Sequence, residues 1–316
     1  MTKVQLTRRA AILTGAAAPL AATLATAPSL VNAAADMKGA GRGAYSRIKL
    51  GGFEVTTLLD GTRTVEKPQE IFGMNASSEE FAAASVANFI PTDKSQFFFT
   101  PTVVNTGSEL VLFDTGLGQG GIVVALAEAG YTPEDIDVVV LTHMHPDHIG
   151  GMMTGDVATF PNARYITGTT EYDFWSKTDA GNNVGDMVRA KVAPMAEKMS
   201  FLDDGGSVAS GITAMAAFGH TPGHMSYMLE SEGQQMLLMA DLANHYVWSL
   251  GYPDWEVRFD MDKAAAAASR RRVFDMLSAD KIPFVGYHMP FPAVGYAETR
   301  DNGYRYVPSS YQLIME

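Results

Sequence analysis

The chain contains no cysteine. That absence removes disulfide scaffolds, thiolate zinc fingers, iron–sulfur clusters and cysteine nucleophiles together, so any chemistry must run on oxygen and nitrogen groups. Positive charge is also scarce: 23 Lys+Arg stand against 35 Asp+Glu in 316 residues, a formal net charge of -12. Such a chain repels a phosphate backbone, and no nucleic-acid partner is expected. Long apolar runs are missing too. The stretch from Ala10 to Val31 is rich in Ala and Thr and is interrupted by Gly15, Pro19 and Pro28. A membrane-spanning helix needs about 20 strongly apolar residues, so stable insertion is not expected. What is present, 47% hydrophobic and 18% charged residues, is globular composition with enough apolar mass for a sizeable core.

The first 35 residues read as a leader. Lys3, Arg8 and Arg9 form a basic start with no acid beside them, an apolar stretch follows, and Ala33-Ala34-Ala35 offers small residues for cleavage. Thr7-Arg8-Arg9-Ala10-Ala11-Ile12-Leu13 resembles a twin-arginine export signal. The expectation is a signal over 1–35, one domain over 36–316, and a periplasmic or secreted location. A chain without cysteine is compatible with an oxidising destination.

In the remaining chain, apolar alternation around Ile48, Leu50, Phe53 and Val55 predicts strands joined by a Gly51-Gly52 turn. Ser77-Ser78-Glu79-Glu80 predicts a capped helix running to about Asn88. Further strands are expected at Pro101–Asn105, Glu109–Phe113, Ile136–Leu141, Arg164–Thr167, Thr213–Ala217, Ser226–Glu230 and Met236–Ala240. Helices are expected at Gly121–Ala129, Thr170–Lys177, Asp186–Met199 with a break at Pro194, and Asp262–Ser278. Many short strands with few helices between them suit two sheets packed face to face with helices outside, an α+β arrangement, better than a doubly wound parallel sheet.

Four places carry chemistry, each at a predicted strand end. Leu141-Thr142-His143-Met144-His145-Pro146-Asp147-His148 follows the apolar strand Val138–Leu141. Imidazole nitrogen and carboxylate oxygen are ligands that zinc accepts. His143 and His145, two apart on extended chain, can grip one ion, and Pro146 turns the chain so that Asp147 and His148 can approach a second. The others are Gly219-His220-Thr221-Pro222-Gly223-His224, the strand end at Asp241, and Val285-Gly286-Tyr287-His288. Taken singly, His220 could cap a turn, Asp241 a helix, and His288 could be a core histidine. In order behind the dense first cluster, they supply a second set of ligands.

With its H-x-H-x-D-H run, G-H-T-P-G-H turn, strand-end aspartate, late histidine and Asp114-Thr115-Gly116 turn, the sequence resembles the metallo-β-lactamase superfamily from about Arg47 to Val307. His288 with Phe291-Pro292, and Gly303-Tyr304-Arg305-Tyr306-Val307-Pro308, look closest to the secreted methyl parathion hydrolase branch, which neighbours the acyl-homoserine-lactone lactonases. The resemblance implies an αβ/βα sandwich with two divalent ions, zinc foremost. It implies His143, His145 and His220 on one ion, Asp147, His148 and His288 on the other, and Asp241 between them. His224 would stand behind the ligands, and Asp114 is a candidate to orient one of the rings. The implied activity is hydrolysis of an ester-type bond (aryl ester, lactone or phosphotriester) by the hydroxide that two adjacent cations generate from water, with Asp147 handling its proton. Homoserine-lactone cleavage is the alternative. In the lactonases a tyrosine follows the bridging aspartate by three positions, where this chain has Asn244 followed by His245 and Tyr246. Antibiotic-degrading members lack an equivalent of Asp241, which disfavours β-lactams.

Two rival classes have their own signals. Gly116-Leu117-Gly118-Gln119-Gly120-Gly121 matches a dinucleotide fingerprint between strand and helix, but the next strand ends at His143 instead of a ribose-binding acid. A metal-binding module without turnover is the other, and the complete ligand set with Asp147 argues against it. Among the aromatic residues, Phe97-Phe98-Phe99, Trp175, Trp248 and Phe291 flank ligand motifs. At least half should be core, with Phe98 and Trp175 as the candidates for a substrate pocket. The partner expected is a small-molecule ester, lactone or phosphotriester, and a homodimer is compatible with the sequence.

Overall fold

The computed structural model describes residues 43–314, so the segment 1–35 read as an export signal lies outside the described residues. Apolar alternation pairs β1 (Tyr45–Leu50) with β2 (Phe53–Leu58), antiparallel across the expected glycine turn. β3 (Gly61–Glu66) leads to α1 (Ser78–Ala87) and then to β4 (Lys94–Phe99), with which β3 pairs antiparallel. This ribbon is absent from the sequence reading because β3 is largely exposed and shows no buried alternation. α1 begins where the sequence places it. The Ser77 hydroxyl accepts from Glu80 N at 3.2 Å and the Glu80 carboxylate accepts from Ser77 N at 2.9 Å, a capping box.

β5 (Thr102–Asn105), β6 (Leu110–Phe113), α2 (Gly121–Ala129), β7 (Val138–Leu141), α3 (Pro146–Ile149), the short pair β8 (Met153–Thr154) and β9 (Val157–Ala158), β10 (Arg164–Gly168), α4 (Thr169–Ser176), α5 (Asn183–Lys191) and β11 (Met199–Leu202) follow. The helix expected over Asp186–Met199 ends at Lys191 and continues as a 3-10 segment, Ala193–Lys198. Pro194 lacks the N–H that an α-helix would use there. The first sheet has the order β1-β2-β5-β6-β7-β10-β11, with β6, β7, β10 and β11 mutually parallel. β7 explains its own unbroken apolar run. Val138 and Val140 enter the core between the sheets, while Val139 and Leu141 enter a second core with residues of α2, α4 and α5. A strand covered on both faces loses its alternation.

The second sheet contains β12 (Ser207–Ala209), β13 (Ile212–Ala216), β14 (Met225–Ser231), β15 (Gln234–Ala240), β16 (Phe284–Gly286), β17 (Val294–Arg300) and β18 (Gly303–Pro308) in that order. It is antiparallel except for β15 and β16. α6 (Lys263–Asp280) crosses between those two and packs Val273, Phe274 and Leu277 into the inter-sheet cluster. A third cluster of Phe72, Phe81, Phe97, Phe99, Trp248 and Tyr287 joins α1, β4 and the chain after β15. The result is the expected α+β sandwich of two large sheets flanked by helices. Among the described residues no helix is long and apolar enough to cross a membrane.

Candidate metal centre

The donor residues lie in turns at the ends of buried strands. β7 ends at Leu141, and the next residue anchors the loop: Thr142 N and Oγ1 both donate to Asp114 Oδ1, at 2.9 and 3.1 Å. Asp114 leaves β6 in the left-handed region, at φ 61, and its other oxygen accepts from His148 Nδ1 at 2.8 Å. Thr115 N and Oγ1 donate to the His148 carbonyl at 2.7 and 2.9 Å. The Asp-Thr pair therefore orients the ring and fixes the backbone of α3. The role expected of Asp114 is seen directly.

Two sets of donor atoms face each other across Asp241. In the first, His143 Nε2 lies 3.1 Å from His145 Nδ1, which lies 2.9 Å from His220 Nε2; His220 Nε2 is 3.3 Å from Asp241 Oδ2. In the second, His288 Nε2 is 3.4 Å from Asp147 Oδ2 and 3.1 Å from Asp241 Oδ2, while His148 Nε2 lies 3.3 Å from Asp241 Oδ1. All seven predicted donors are thus brought together. His224 is not among them. Its Nδ1 donates to Ala217 O and its Nε2 accepts from Asp241 N, both at 3.1 Å, so it holds the backbone of the central carboxylate.

The donor chemistry fits a pair of cations. Imidazole nitrogens about 2.1 Å from a tetrahedral ion would be roughly 3.4 Å from one another, near the separations seen here. Among the described residues, the buried His148 Nε2 and Asp241 Oδ1 make no hydrogen bond and face each other at 3.3 Å, donor atoms that a cation between them would satisfy. The electrostatics agree. Burial holds His143 and His145 well below the usual histidine range, as neutral ligands. Burial also opposes charge on His148, but Asp241, Asp114 and Asp147 outweigh it and hold the ring well above that range. Charge that would retain a proton there also attracts a metal ion. Burial likewise opposes charge on Asp241, yet His288 and His148 keep it well below the usual carboxylate range.

Several supports escaped the sequence reading. His220 Nδ1 donates to Asp260 Oδ1 at 3.0 Å, and Asp260 Oδ2 accepts from the buried Arg270 at 2.7 Å. Glu171 is wholly buried. Tyr287 packs against His148 with the rings tilted by 32° and centroids 4.0 Å apart, and donates to the Asp147 carbonyl at 2.5 Å. Asn244 Nδ2 donates to Asp241 Oδ2 at 2.8 Å. Asn244 stands three residues after Asp241, whereas nothing local marks Asp260, Glu171 or Tyr287, which meet His220, Thr221 and Asp147 from 40 or more positions away, or Arg270, which acts through Asp260. Trp175 and Phe98, the pocket candidates, are both buried. Trp175 donates its indole N–H to Glu171 at 2.7 Å, and the Phe98 carbonyl accepts from His288 Nδ1 at 2.7 Å. Phe97 and Phe99 flank the His288 ring edge-on, each at 5.4 Å.

The glycine-rich turn has a packing explanation. A Cβ on Gly121 would lie 1.9 Å from Asp60 O, and one on Gly118 would lie 2.3 Å from Gly150 O. The chain's own backbone fills the space beside these glycines where a pyrophosphate would sit. A cleft of about 760 Å³ lies elsewhere, lined by α1, Trp255 and the β17–β18 hairpin. None of the seven donors lines it, so donor geometry, not volume, is the guide to the chemistry.

Comparison with known proteins points the same way. The sequence pattern of the metallo-β-lactamase superfamily matches residues 100–283. The N-acyl homoserine lactonase AttM of Agrobacterium fabrum is 32% identical over 127 residues, covering 38% of this chain and 45% of the relative. An N-acyl homoserine lactonase of Bacillus cereus is 27% identical over 168 residues, 52% of this chain and 61% of the relative. The matches thus span about half the length of these curated relatives. AidC, described as a dizinc quorum-quenching lactonase in complex with a product, superposes with a TM-score of 0.79 at 27% identity, covering 84% of this chain and 98% of that one. The hydrolase AbOPH superposes with a TM-score of 0.78 at 24% identity, covering 86% and 99%, and supports the fold alone.

Proposed function

The chain belongs to the metallo-β-lactamase superfamily, and from that membership we propose that it is a hydrolase of ester-type bonds working with two divalent cations, with lactones the leading substrate class. The observation that carries the reading is the pair of donor sets meeting at Asp241, with the buried His148 Nε2 and Asp241 Oδ1 making no hydrogen bond. His143, His145 and His220 would hold one ion, Asp147, His148 and His288 the other, and Asp241 would contact both. An all nitrogen-and-oxygen set of this kind suits zinc. Bound cations would supply Lewis acidity to a carbonyl or phosphoryl oxygen and lower the pKa of water.

The chain's own groups do the positioning. Asp260 and Asp114 each accept from a ring Nδ1, leaving His220 Nε2 and His148 Nε2 as the coordinating atoms. The Phe98 carbonyl does the same for His288. Asp147 is the acidic donor with an exposed edge, its side chain 22% accessible, and its carboxylate can accept and return a proton at the open side. Lactones lead because AttM and AidC, as described, are lactonases. Asn244 in place of the lactonases' tyrosine keeps aryl esters and phosphotriesters in contention. The test is a panel of γ-lactones, aryl esters and phosphotriesters on protein reconstituted with a measured two zinc ions per chain. Turnover of lactones above the other classes is expected. Fully loaded protein that cleaves none of them would leave a binding module as the correct description.

For location, the basic start with Arg8-Arg9 supports export. Converting both arginines to lysine should abolish delivery to the periplasm, and an unchanged periplasmic yield would remove that reading.

A further inference from the structure

Glu171 lies in the first turn of α4 and belongs to neither donor set. Its carboxylate is wholly buried and receives four hydrogen bonds. Met144 N and Trp175 Nε1 donate to Oε1 at 2.8 and 2.7 Å. Thr221 Oγ1 and Gly223 N donate to Oε2 at 2.7 and 3.0 Å. Met144 sits between His143 and His145, and Thr221 follows His220. One oxygen therefore grips the loop after β7 in the first sheet, and the other grips the turn after β13 in the second. The fit is close: a Cβ on Gly223 would lie 2.1 Å from Glu171 N, so the turn reaches the carboxylate only because that position is glycine.

We propose that Glu171 is the positioning residue that sets the separation of the His143–His145 loop from the His220 turn, and so determines the cation affinity of the first donor set selectively. The inference rests on the two-cation reading. The three nitrogens of that set come from two segments of different sheets, and a shift of a few tenths of an ångström between them changes the fit of all three to one ion. The second set is secured by other groups: Asp114 and Thr115 on His148, Tyr287 on Asp147, and the Phe98 carbonyl on His288. All four partners of Glu171 donate, so an amide cannot replace the carboxylate. Glu171→Gln sets an NH2 group against two donors and loosens one of the two grips.

The experiment is calorimetric titration of apo-protein with Zn²⁺ in two backgrounds, His288→Ala leaving the first set and His220→Ala leaving the second. Glu171→Gln should weaken zinc binding at least tenfold in the first background and change it less than twofold in the second. Trp175→Phe removes one of the four donors while keeping a ring in place, and should give a smaller loss, several-fold, again in the first background only. It serves as the readout should Glu171→Gln fail to fold. Equal weakening in both backgrounds would reduce Glu171 to general scaffolding and overturn the proposal, as would no weakening in either. Parental protein that takes up no zinc would instead bring down the two-cation reading beneath it.

Discussion

Asp147 differs from the histidines around it in presenting a carboxylate at the open edge of the site. Removing a histidine of the first donor set, as in His143→Ala or His220→Ala, should reduce metal content and activity together. Asp147→Asn keeps size and one oxygen but removes the proton acceptor. It should lower kcat roughly 10²-fold with a smaller change in KM, the scale of general acid–base catalysis. Metal content and kcat measured on one reconstituted sample decide it: two ions with parental turnover would show that Asp147 handles no proton. Asp260 makes a prediction in pH. Burial alone would raise its pKa, but the His220 ring N–H and the Arg270 guanidinium hold it below the usual carboxylate range. A carboxylate with a lowered folded pKa contributes stability that is complete above its unfolded value of about 3.9 and is lost as pH falls through the folded value. Asp260→Asn should therefore flatten the acid limb of the stability profile below about pH 4, measured as Tm against pH. An acid limb as steep as the parent's would place the acid sensitivity in other groups.

At the scale of elements, the capping box of α1 and the glycine turn before α2 test how local signals are used. Ser77→Ala should cost about 1 kcal/mol, the usual value of such a cap, with no effect on metal binding. Gly121→Ala forces a Cβ against Asp60 O and should cost about 1–3 kcal/mol by overpacking. Nicotinamide cofactors should bind neither parent nor variant. Cofactor binding to the parent that Gly121→Ala abolishes would restore the dinucleotide reading of this turn. Elements with a buried stripe or a cap were legible in advance, as α1, α2 and β7 illustrate. The β3–β4 ribbon was not, because it pairs only with itself and β3 is largely exposed, so its sequence carries no buried alternation.

At the scale of the molecule, the donor sets join the two sheets at their strand ends, so cations held there would act as staples between the halves of the sandwich. Chelation should lower Tm and restoring zinc should recover it. At a free concentration a thousand times Kd the linkage is worth about 4 kcal/mol per site. Coincident melting curves for stripped and loaded protein would mean that the native state does not bind the ions.

The sequence by itself determined the composition class, the apolar strands and the capped helices, and it marked the seven candidate donors that the structure brings together. Strand ends and turn residues are local signals, and His143, His145, Asp147 and His148 sit within six positions of one another. It also identified Asp114, through its turn, as a support. Only the tertiary structure decided that Glu171, Asp260, Arg270 and Tyr287 stand behind the ligands, and that Trp175 and Phe98 serve the donors through an indole N–H and a backbone carbonyl. The physical reason is range. A ligand motif is written in adjacent residues, whereas a buried carboxylate such as Asp260 meets His220 across 40 residues and Glu171 meets Gly223 across 52; the first pair exists only once the second half has folded, and the second only once the two sheets have closed on each other.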